Sequence, residues 1–456
     1  MTRLKETNSL PNADCAIQVI GFGMAGLGLG LAADRQTCLK EICEKGLVYI
    51  DKRRSDQFDS LNFNILSNSP AADFITDMHE YSEFGAIFNN KNGKRLRCLW
   101  GQATPLTLAS DFFKDAAIHF QQYLSYYPRS HFFSGTSVNK IHIEKDGSVT
   151  SYNNKGEYLK NSTFAVIATG SIEKKNYEIS LMAKILKSYF NLSESILRCD
   201  HDQLLYNILK EGRKIVIVGG SHSAFSVVEY LLRVFGEILD KNQLIVLNRG
   251  NTKLYYENID EFHKNSIKNE RFLIDHESNS VNRYCGLRGS AKKIYESIIR
   301  KKENRVKIIS IDKGSPLDLI EKQGGDVGMV VQATGYSEKT PEIVDHLGNS
   351  IEIKKEKNCI SLSKDYNFCT SKGIPIKQIF GIGLGSFVSE NPPFSTTGEV
   401  AVGVNIYHQK DAASIINRIR KNILIDAGKK INLHYTEDQM PASNLLDQNT
   451  KVSDVC

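Results

Sequence analysis

A chain of 456 residues is too long for one ordinary core, and at roughly 150 residues per domain it divides into two or three. With 41% hydrophobic and 24% charged residues it is foldable rather than disordered. Its net charge of +6 is spread along the chain without a basic arm or an aromatic RNA motif. That excludes a nucleic-acid footprint and leaves a mild attraction for anionic ligands. Nine cysteines in no regular pairing fit a reducing compartment.

The first legible element is a strand at residues 16–20, which breaks into Gly21, Gly23 and Gly26 and continues as a small-residue helix. A bound dinucleotide needs that spacing. Gly21 permits the tight turn, Gly23 lets backbone approach a pyrophosphate without a Cβ, and Gly26 lets the helix pack on its strand. The helix start adds unpaired N–H groups and about half a positive charge. Residues 15–33 are free of charge, as a signal anchor would be, but five glycines make them a poor membrane span and the phosphate loop accounts for all five. The expectation is a cytoplasmic protein with no membrane segment. A second apolar run, 47–50, ends in Asp51, a carboxylate placed to accept hydrogen bonds from a ribose, with Lys52 beside it. Gly21 and Asp51 are thirty residues apart, against ~20 in the usual fingerprint, so an insertion is expected near 34–45.

Residues 61–70 read as an irregular loop, either lining a substrate pocket or simply connecting. A helix follows at 105–124, with Asp111 as its expected cap and His119 as a packed or surface residue. Alternating strands over 132–159 turn at Lys145, Asp146 and Gly147. A buried strand at 164–167 then stops on Ala168-Thr169-Gly170, which places backbone at the carboxyl edge of a sheet. Residues 172–210 read as a helical, polar linker.

A new unit starts at Lys214. Its strand, 215–218, runs through Gly219, Gly220, Ser221, His222, Ser223 and Ala224 into an apolar helix at 225–235, a second and weaker phosphate loop. The next strand, 244–247, leads to Asn248 and Arg249; an arginine there suits a 2′-phosphate and NADP, and is otherwise a solvated strand end. Strand, G-x-S and helix also describe a hydrolase nucleophile elbow, but Ser223 stands where that motif needs glycine. Residues 282–289 face either a nicotinamide and substrate or solvent. A strand at 328–331 ends Ala333-Thr334-Gly335-Tyr336, repeating the earlier device. Residues 379–385 make a third glycine-rich strand end, with Gly383 and Gly385. Thr396 and Glu399 have capping-box spacing, with Thr397 between them, at the start of a helix over 400–407. Beyond Asn432 the chain is polar and aperiodic and reads as disordered.

In order, G-F-G-M-A-G with Asp51, Ala168-Thr169-Gly170, G-G-S-H-S-A with Arg249, and Ala333-Thr334-Gly335-Tyr336 resemble the marks of the two-dinucleotide-binding flavoproteins across residues 15–425. The resemblance implies an α/β fold of two Rossmann-like dinucleotide-binding domains, for FAD and NADPH, the second inserted in the first. The FAD-binding part would span 1–185, the NAD(P)H-binding domain 200–345 and the C-terminal return of the FAD domain 346–430, before a tail at 431–456. Cofactor contacts would come from Gly21, Gly23, Gly26, Asp51 and Lys52; from Gly219, Ser221, Ala224 and Arg249; from Thr169, Gly170, Thr334 and Gly335; and from Gly383, Gly385 and Thr397, whose helix N-terminus suits the electron-rich edge of a reduced flavin.

Within that superfamily the chain looks most like single-component flavin monooxygenases of the N-hydroxylating type, because residues 337–340 and Pro341 follow the Ala-Thr-Gly-Tyr with their spacing. The Baeyer–Villiger signature F-x-G-x-x-x-H is absent: after Phe133 and Gly135, Asn139 stands in place of histidine. Disulfide reductases are disfavoured, since the C-x4-C pair Cys38 and Cys43 precedes Asp51 instead of following it, and the two read as ordinary thiols. Asp51 itself replaces the family's usual glutamate, and the C-terminal glycine strand lacks the aspartate that meets a ribityl chain. The likeness implies that NADPH reduces FAD and that one atom of O2 is placed on a small polar substrate, an amine among the candidates. It nominates no catalytic acid or base and no metal. A reductase without oxygen transfer and a non-catalytic dinucleotide-binding protein remain as alternatives.

Overall fold

The structure is a computed structural model that describes residues 13–426, except 55–56, 59–60, 76–80, 251, 268–271, 276–278, 284–285, 312–319, 321–325, 357–358 and 389–409. The first expected strand is Cys15–Ile20, and it lies parallel between Leu47–Ile50 and Tyr158–Ile167, with Ile17 opposite both Leu47 and Phe164. Leu47–Ile50 also pairs with His131–Phe133, and Tyr158–Ile167 with the late strand Pro375–Gly381, so the chain comes back to complete its first sheet. Every residue of Cys15–Ile20 and of Leu47–Ile50 is buried. A strand covered on both faces has no polar face to alternate with, which is why both read as nearly continuous apolar runs; the one polar residue, Gln18, is wholly buried and donates its Nε2 to the Val149 carbonyl at 2.8 Å. The antiparallel meander of Lys140–Ile143 and Val149–Tyr152 extends this sheet through Tyr158–Ile167.

Between its departure after Ile167 and its return at Glu342–Val344, which pairs with Lys140–Ile143, the chain builds a second sheet, all parallel, in the order Tyr189–Leu192, Val327–Gln332, Lys214–Val218, Leu244–Asn248, Val306–Ser310. The second unit is therefore nested in the first. Two short strands, Ser171–Ile172 going out and Ser337–Glu338 coming back, pair antiparallel where the chain crosses between sheets. The linker expected over 172–210 is corrected here. Tyr189–Leu192 is the edge strand of the second sheet, a four-residue element too short to show a period, and its partner Val327–Gln332 is remote in sequence.

Two large cores match the two sheets. In the first, Phe22 meets Tyr49 edge-on at 4.9 Å and Phe132 at 4.8 Å, contacts worth about 0.5–1.5 kcal/mol each beyond burial. The Tyr49 hydroxyl, wholly buried, donates to the Gly26 carbonyl at 3.0 Å and so ties the second strand to the glycine-rich helix Met24–Arg35. The insertion expected near 34–45 is the helix Leu39–Lys45.

Two further expectations change. The helix Leu106–Ser125 starts after Pro105, whose missing N–H costs nothing at a helix entrance, so Asp111 lies inside the helix and caps nothing. The loop expected over 61–70 ends in a strand, Leu66–Pro70, paired with Ala103–Pro105. A further helix, Ala412–Asp426, packs on Met24–Arg35, where Gln36 Nε2 donates to the Ala413 carbonyl at 3.1 Å. The expected helix at 400–407, its capping pair and the tail beyond 431 lie outside the described residues. Among the described residues no helix is long and apolar enough to cross a membrane.

Candidate dinucleotide sites

The two glycine loops are built on one plan. Gly21 has φ +102°, and a Cβ there would run into the Ala168 carbonyl of the first Ala-Thr-Gly. Gly219 has φ +143°, and a Cβ there would run into the Ala333 carbonyl of the second. Each turn is held from both neighbouring strands: Gly21 N donates to the Ile50 carbonyl at 2.9 Å and Gly219 N to the Leu247 carbonyl at 2.9 Å. In turn Ala168 N donates to Ile20 O and Ala333 N to Val218 O, both at 2.8 Å. The repeated Ala-Thr-Gly is thus a strand end laid across a glycine turn, and that contact is why the pair recurs together.

The remaining loop positions divide by duty. Gly26 is buried, and a Cβ on it would strike the Gly21 carbonyl, so it serves helix packing; Ala224, fully buried, does the same in the second loop. At Gly23 a Cβ would meet only the Arg53 guanidinium, at 3.8 Å, so this glycine faces the open side. The space beside Gly220 is filled by Asn248, whose Nδ2 donates to Thr252 Oγ1 at 2.7 Å. Ser221 precedes the helix His222–Phe235 without spending its hydroxyl as a cap, and Arg249 stands exposed at the end of Leu244–Asn248. Gly170 and Gly335 both have positive φ with open space where a Cβ would go, and Thr334 is exposed. The Thr169 hydroxyl is taken by the Lys339 carbonyl.

The third glycine stretch joins the first site. A Cβ on Gly383 would lie 2.8 Å from the Ala25 side chain, at the start of the glycine-rich helix, and one on Gly385 would lie 3.3 Å from the Gly170 carbonyl. The first sheet's carboxyl edge therefore gathers Gly21, Gly23, Gly26, Asp51, Thr169, Gly170, Gly383 and Gly385. Lys52 is exposed next to Asp51, and its charge, after partial burial, helps pull the Lys339 ammonium below its usual range. Thr397 lies outside the described residues.

Asp51 is held by donors of the protein itself. Its Oδ2 accepts the Phe22 amide at 2.5 Å and one Arg53 nitrogen at 3.1 Å; its Oδ1 accepts the Arg53 amide at 2.7 Å and Arg53 Nε at 3.0 Å. Burial pushes the carboxyl up, but the hydrogen bonds and charge of Arg53, with the Phe22 amide, outweigh it and hold the group below the ordinary aspartate value.

His222 is the first residue of its helix, and its Nε2 accepts the Arg288 amide at 3.1 Å. Burial, then the Arg288 charge, pushes its pKa down to about 4, so it is neutral near pH 7 and is a spacer that fixes Arg288 rather than a base. The Arg288 guanidinium in turn lies 3.8 Å over the Tyr255 ring. In the segment 282–289, Asn282 is only 1% exposed; its Nδ2 donates to Leu254 O and its Oδ1 accepts Leu273 N, both at 2.9 Å, so it brackets the backbone instead of facing a ligand. The loop before Leu66–Pro70 is more than a plain connection: Phe63 and Ile65 pack against the second unit's core, and Asn64 N donates to Leu197 O at 2.8 Å. Across the same seam Asn68 lies against Gly289, at the start of the helix Gly289–Ile299.

Cys38 and Cys43 are buried free thiols, and burial raises their pKa values to about 11 and about 12. Thiolate is the reactive form. Iodoacetamide at mildly alkaline pH is therefore expected to label the exposed Cys98 in the native protein and to reach Cys38 and Cys43 only after denaturation, as peptide mass spectrometry will show. Native labelling of the pair would restore a redox role.

No protein-family model matches the chain. A CMP-5′-(3-aminopropyl)phosphonate hydroxylase of Streptomyces rubellomurinus is 20% identical over 437 residues, 91% of this chain and 99% of its own. Among solved structures, ornithine hydroxylase of Pseudomonas aeruginosa superposes with a TM-score of 0.54 at 14% identity, covering 90% of this chain and 99% of its own. The ornithine N-hydroxylase of Kutzneria sp. 744 gives 0.54 at 13% identity over 91% and 100%. The L-lysine 6-monooxygenase of Pseudomonas syringae gives 0.53 at 15% over 90% and 100%. These likenesses cover about nine-tenths of the chain and agree with the sheet topology: the fold is α/β, with two Rossmann-type units, the second nested in the first.

Proposed function

We propose that this chain is an FAD-dependent monooxygenase that draws electrons from NADPH and places one atom of O2 on a small polar substrate carrying an amine, working in the cytoplasm without nucleic acid. The observation that carries this reading is the duplicated loop. Two glycine turns, each crossed by its own Ala-Thr-Gly, offer two dinucleotide sites in one chain, and the third glycine stretch returns to only the first. The residues present fit the two cofactors, because each loop leads into a helix N-terminus whose cap residue, Gly23 or Ser221, makes no side-chain cap hydrogen bond to the first-turn amides.

FAD would be held by the loop Gly21 to Gly26 and by the glycine backbones at 170, 383 and 385; NADPH by Gly219, Ser221 and the strand-end Arg249. The bound flavin would supply the redox chemistry. This chain's part is to bind, to orient and to keep water out. His222, neutral, holds Arg288 beside the second loop, and Asn68 with Gly289 brings the two units together at their seam. The relatives support the substrate class: one acts on an aminopropylphosphonate joined to CMP, the others on ornithine or lysine, and all these molecules carry a primary amine. The Kutzneria structure holds reduced FAD, NADP+ and L-ornithine together.

The test is a purified, FAD-loaded protein given NADPH and 18O2 with a panel of amines. The expected result is substrate-stimulated NADPH oxidation with one labelled oxygen in the product. Electron transfer to a quinone or carrier with no label in any product would move the chain to the reductases.

A further inference from the structure

We propose that Arg53, not Asp51, is the side chain that meets the dinucleotide at the first loop, where it binds the pyrophosphate while Asp51 aims it. The inference rests on the reading that this loop takes FAD. A carboxylate offers about four lone-pair directions, and those of Asp51 are met by the Phe22 amide, the Arg53 amide and two nitrogens of the Arg53 guanidinium. The ribose acceptor that the fingerprint expects is thus already engaged by protein donors. What reaches the open side is the cation: the Arg53 side chain is 22% exposed and that of Asp51 6%. Its terminal nitrogen lies 3.8 Å from where a Cβ on Gly23 would stand, the glycine whose missing side chain makes room for phosphate.

Arg53 is also held still. Its carbonyl accepts the Gly135 amide at 2.9 Å, the Asp51 carbonyl accepts Thr136 N at 2.9 Å, and the guanidinium sits 5.7 Å from the Phe58 ring centre. Asp51 takes the Nε and one terminal nitrogen of the guanidinium and so fixes its positive charge beside a helix start with no acidic residue in its first turn, a place that favours an anion. The thirty-residue spacing hid this, because the arginine follows the acidic residue by only two positions.

The experiment titrates the apoprotein with FAD, by flavin fluorescence, and with ADP, by calorimetry, since ADP carries the same pyrophosphate and ribose. Arg53→Gln is expected to weaken both by about ten-fold or more and to flatten the salt dependence of binding; Arg53→Lys recovers part. If Asp51 acts through Arg53, adding Asp51→Asn to Arg53→Gln costs little more than Arg53→Gln alone. Unchanged or tighter ADP binding by Arg53→Gln, or costs that simply add, would overturn the proposal. Should Asp51→Asn not fold, the two arginine variants decide. A wild type that binds ADP through Arg53 but never FAD would retire the flavin reading and leave the arginine's role standing.

Discussion

Gly219→Ala is expected to abolish NADPH-driven reduction while leaving the flavin bound. The backbone at this position has φ +143°, which an L side chain rarely adopts, and the added methyl would collide with the Ala333 carbonyl. Backbone strain of about 1–2 kcal/mol and overpacking of about 1–3 kcal/mol are relieved only if the turn moves off the second Ala-Thr-Gly, and that movement displaces the start of the helix His222–Phe235. An affinity loss of at least ~30-fold for NADP+ follows from the lower end of that range. Because the first loop uses the same geometry, Gly21→Ala is the mirror experiment: the protein should lose its yellow colour and keep its NADP+ site. Equilibrium binding of each nucleotide to each variant reads the outcome. A Gly219→Ala enzyme reduced by NADPH as readily as the wild type would mean that the second loop does not hold the nucleotide.

The second large effect belongs to Glu173, directly after the outgoing strand Ser171–Ile172. It is 6% exposed; Ser193 donates its hydroxyl to both carboxyl oxygens, at 2.9 and 3.0 Å, and the Glu194 amide donates to Oε2 at 3.1 Å. Burial pushes the pKa from 4.5 up to about 7, against the pull of those donors, with the Glu194 charge adding to the rise. Burial and then the Glu173 charge also push up the phenol of Tyr336, next to the returning strand. An acid whose folded pKa is raised binds its proton more tightly in the folded state. Its contribution to stability is therefore complete below pH 4.5 and is lost as the pH climbs through about 7. At 1.36 kcal/mol per unit the loss is on the order of 3 kcal/mol. Glu173→Gln removes the titration, so urea unfolding should find the variant more stable than wild type above that window and lose the advantage below it. Parallel stability curves for the two proteins would show that Glu173 is not desolvated in solution.

How much of this was legible depended on the range of the physics involved. The phosphate loops could be read because their glycines answer local demands: a turn with positive φ at Gly21 and Gly219, and a helix seated on its own strand at Gly26 and Ala224. The buried parallel strands could be read because a strand covered on both faces needs mostly apolar residues. What escaped was set by partners distant in sequence. Tyr189–Leu192 is a strand only because Val327–Gln332 lies alongside, and Leu66–Pro70 only because Ala103–Pro105 does. Asn248 filling the space at Gly220, and His222 receiving the Arg288 amide, are likewise long-range fits that no pattern announces. Asp51 is the opposite case, since its controlling partner is two residues away. A fingerprint that ends at the acidic residue never looks at the next arginine.

The short stretch carrying Phe63 and Ile65 has a consequence for modularity. These side chains leave the outer unit and complete the core of the inner one, while Asn64 bonds to the end of the helix Ser193–Leu197. The inner unit is nested in sequence but is not a cassette that can be lifted out. Excising it strands two apolar residues in water and leaves its own core unsealed. The seam is stitched from both sides, so the two units are expected to unfold together.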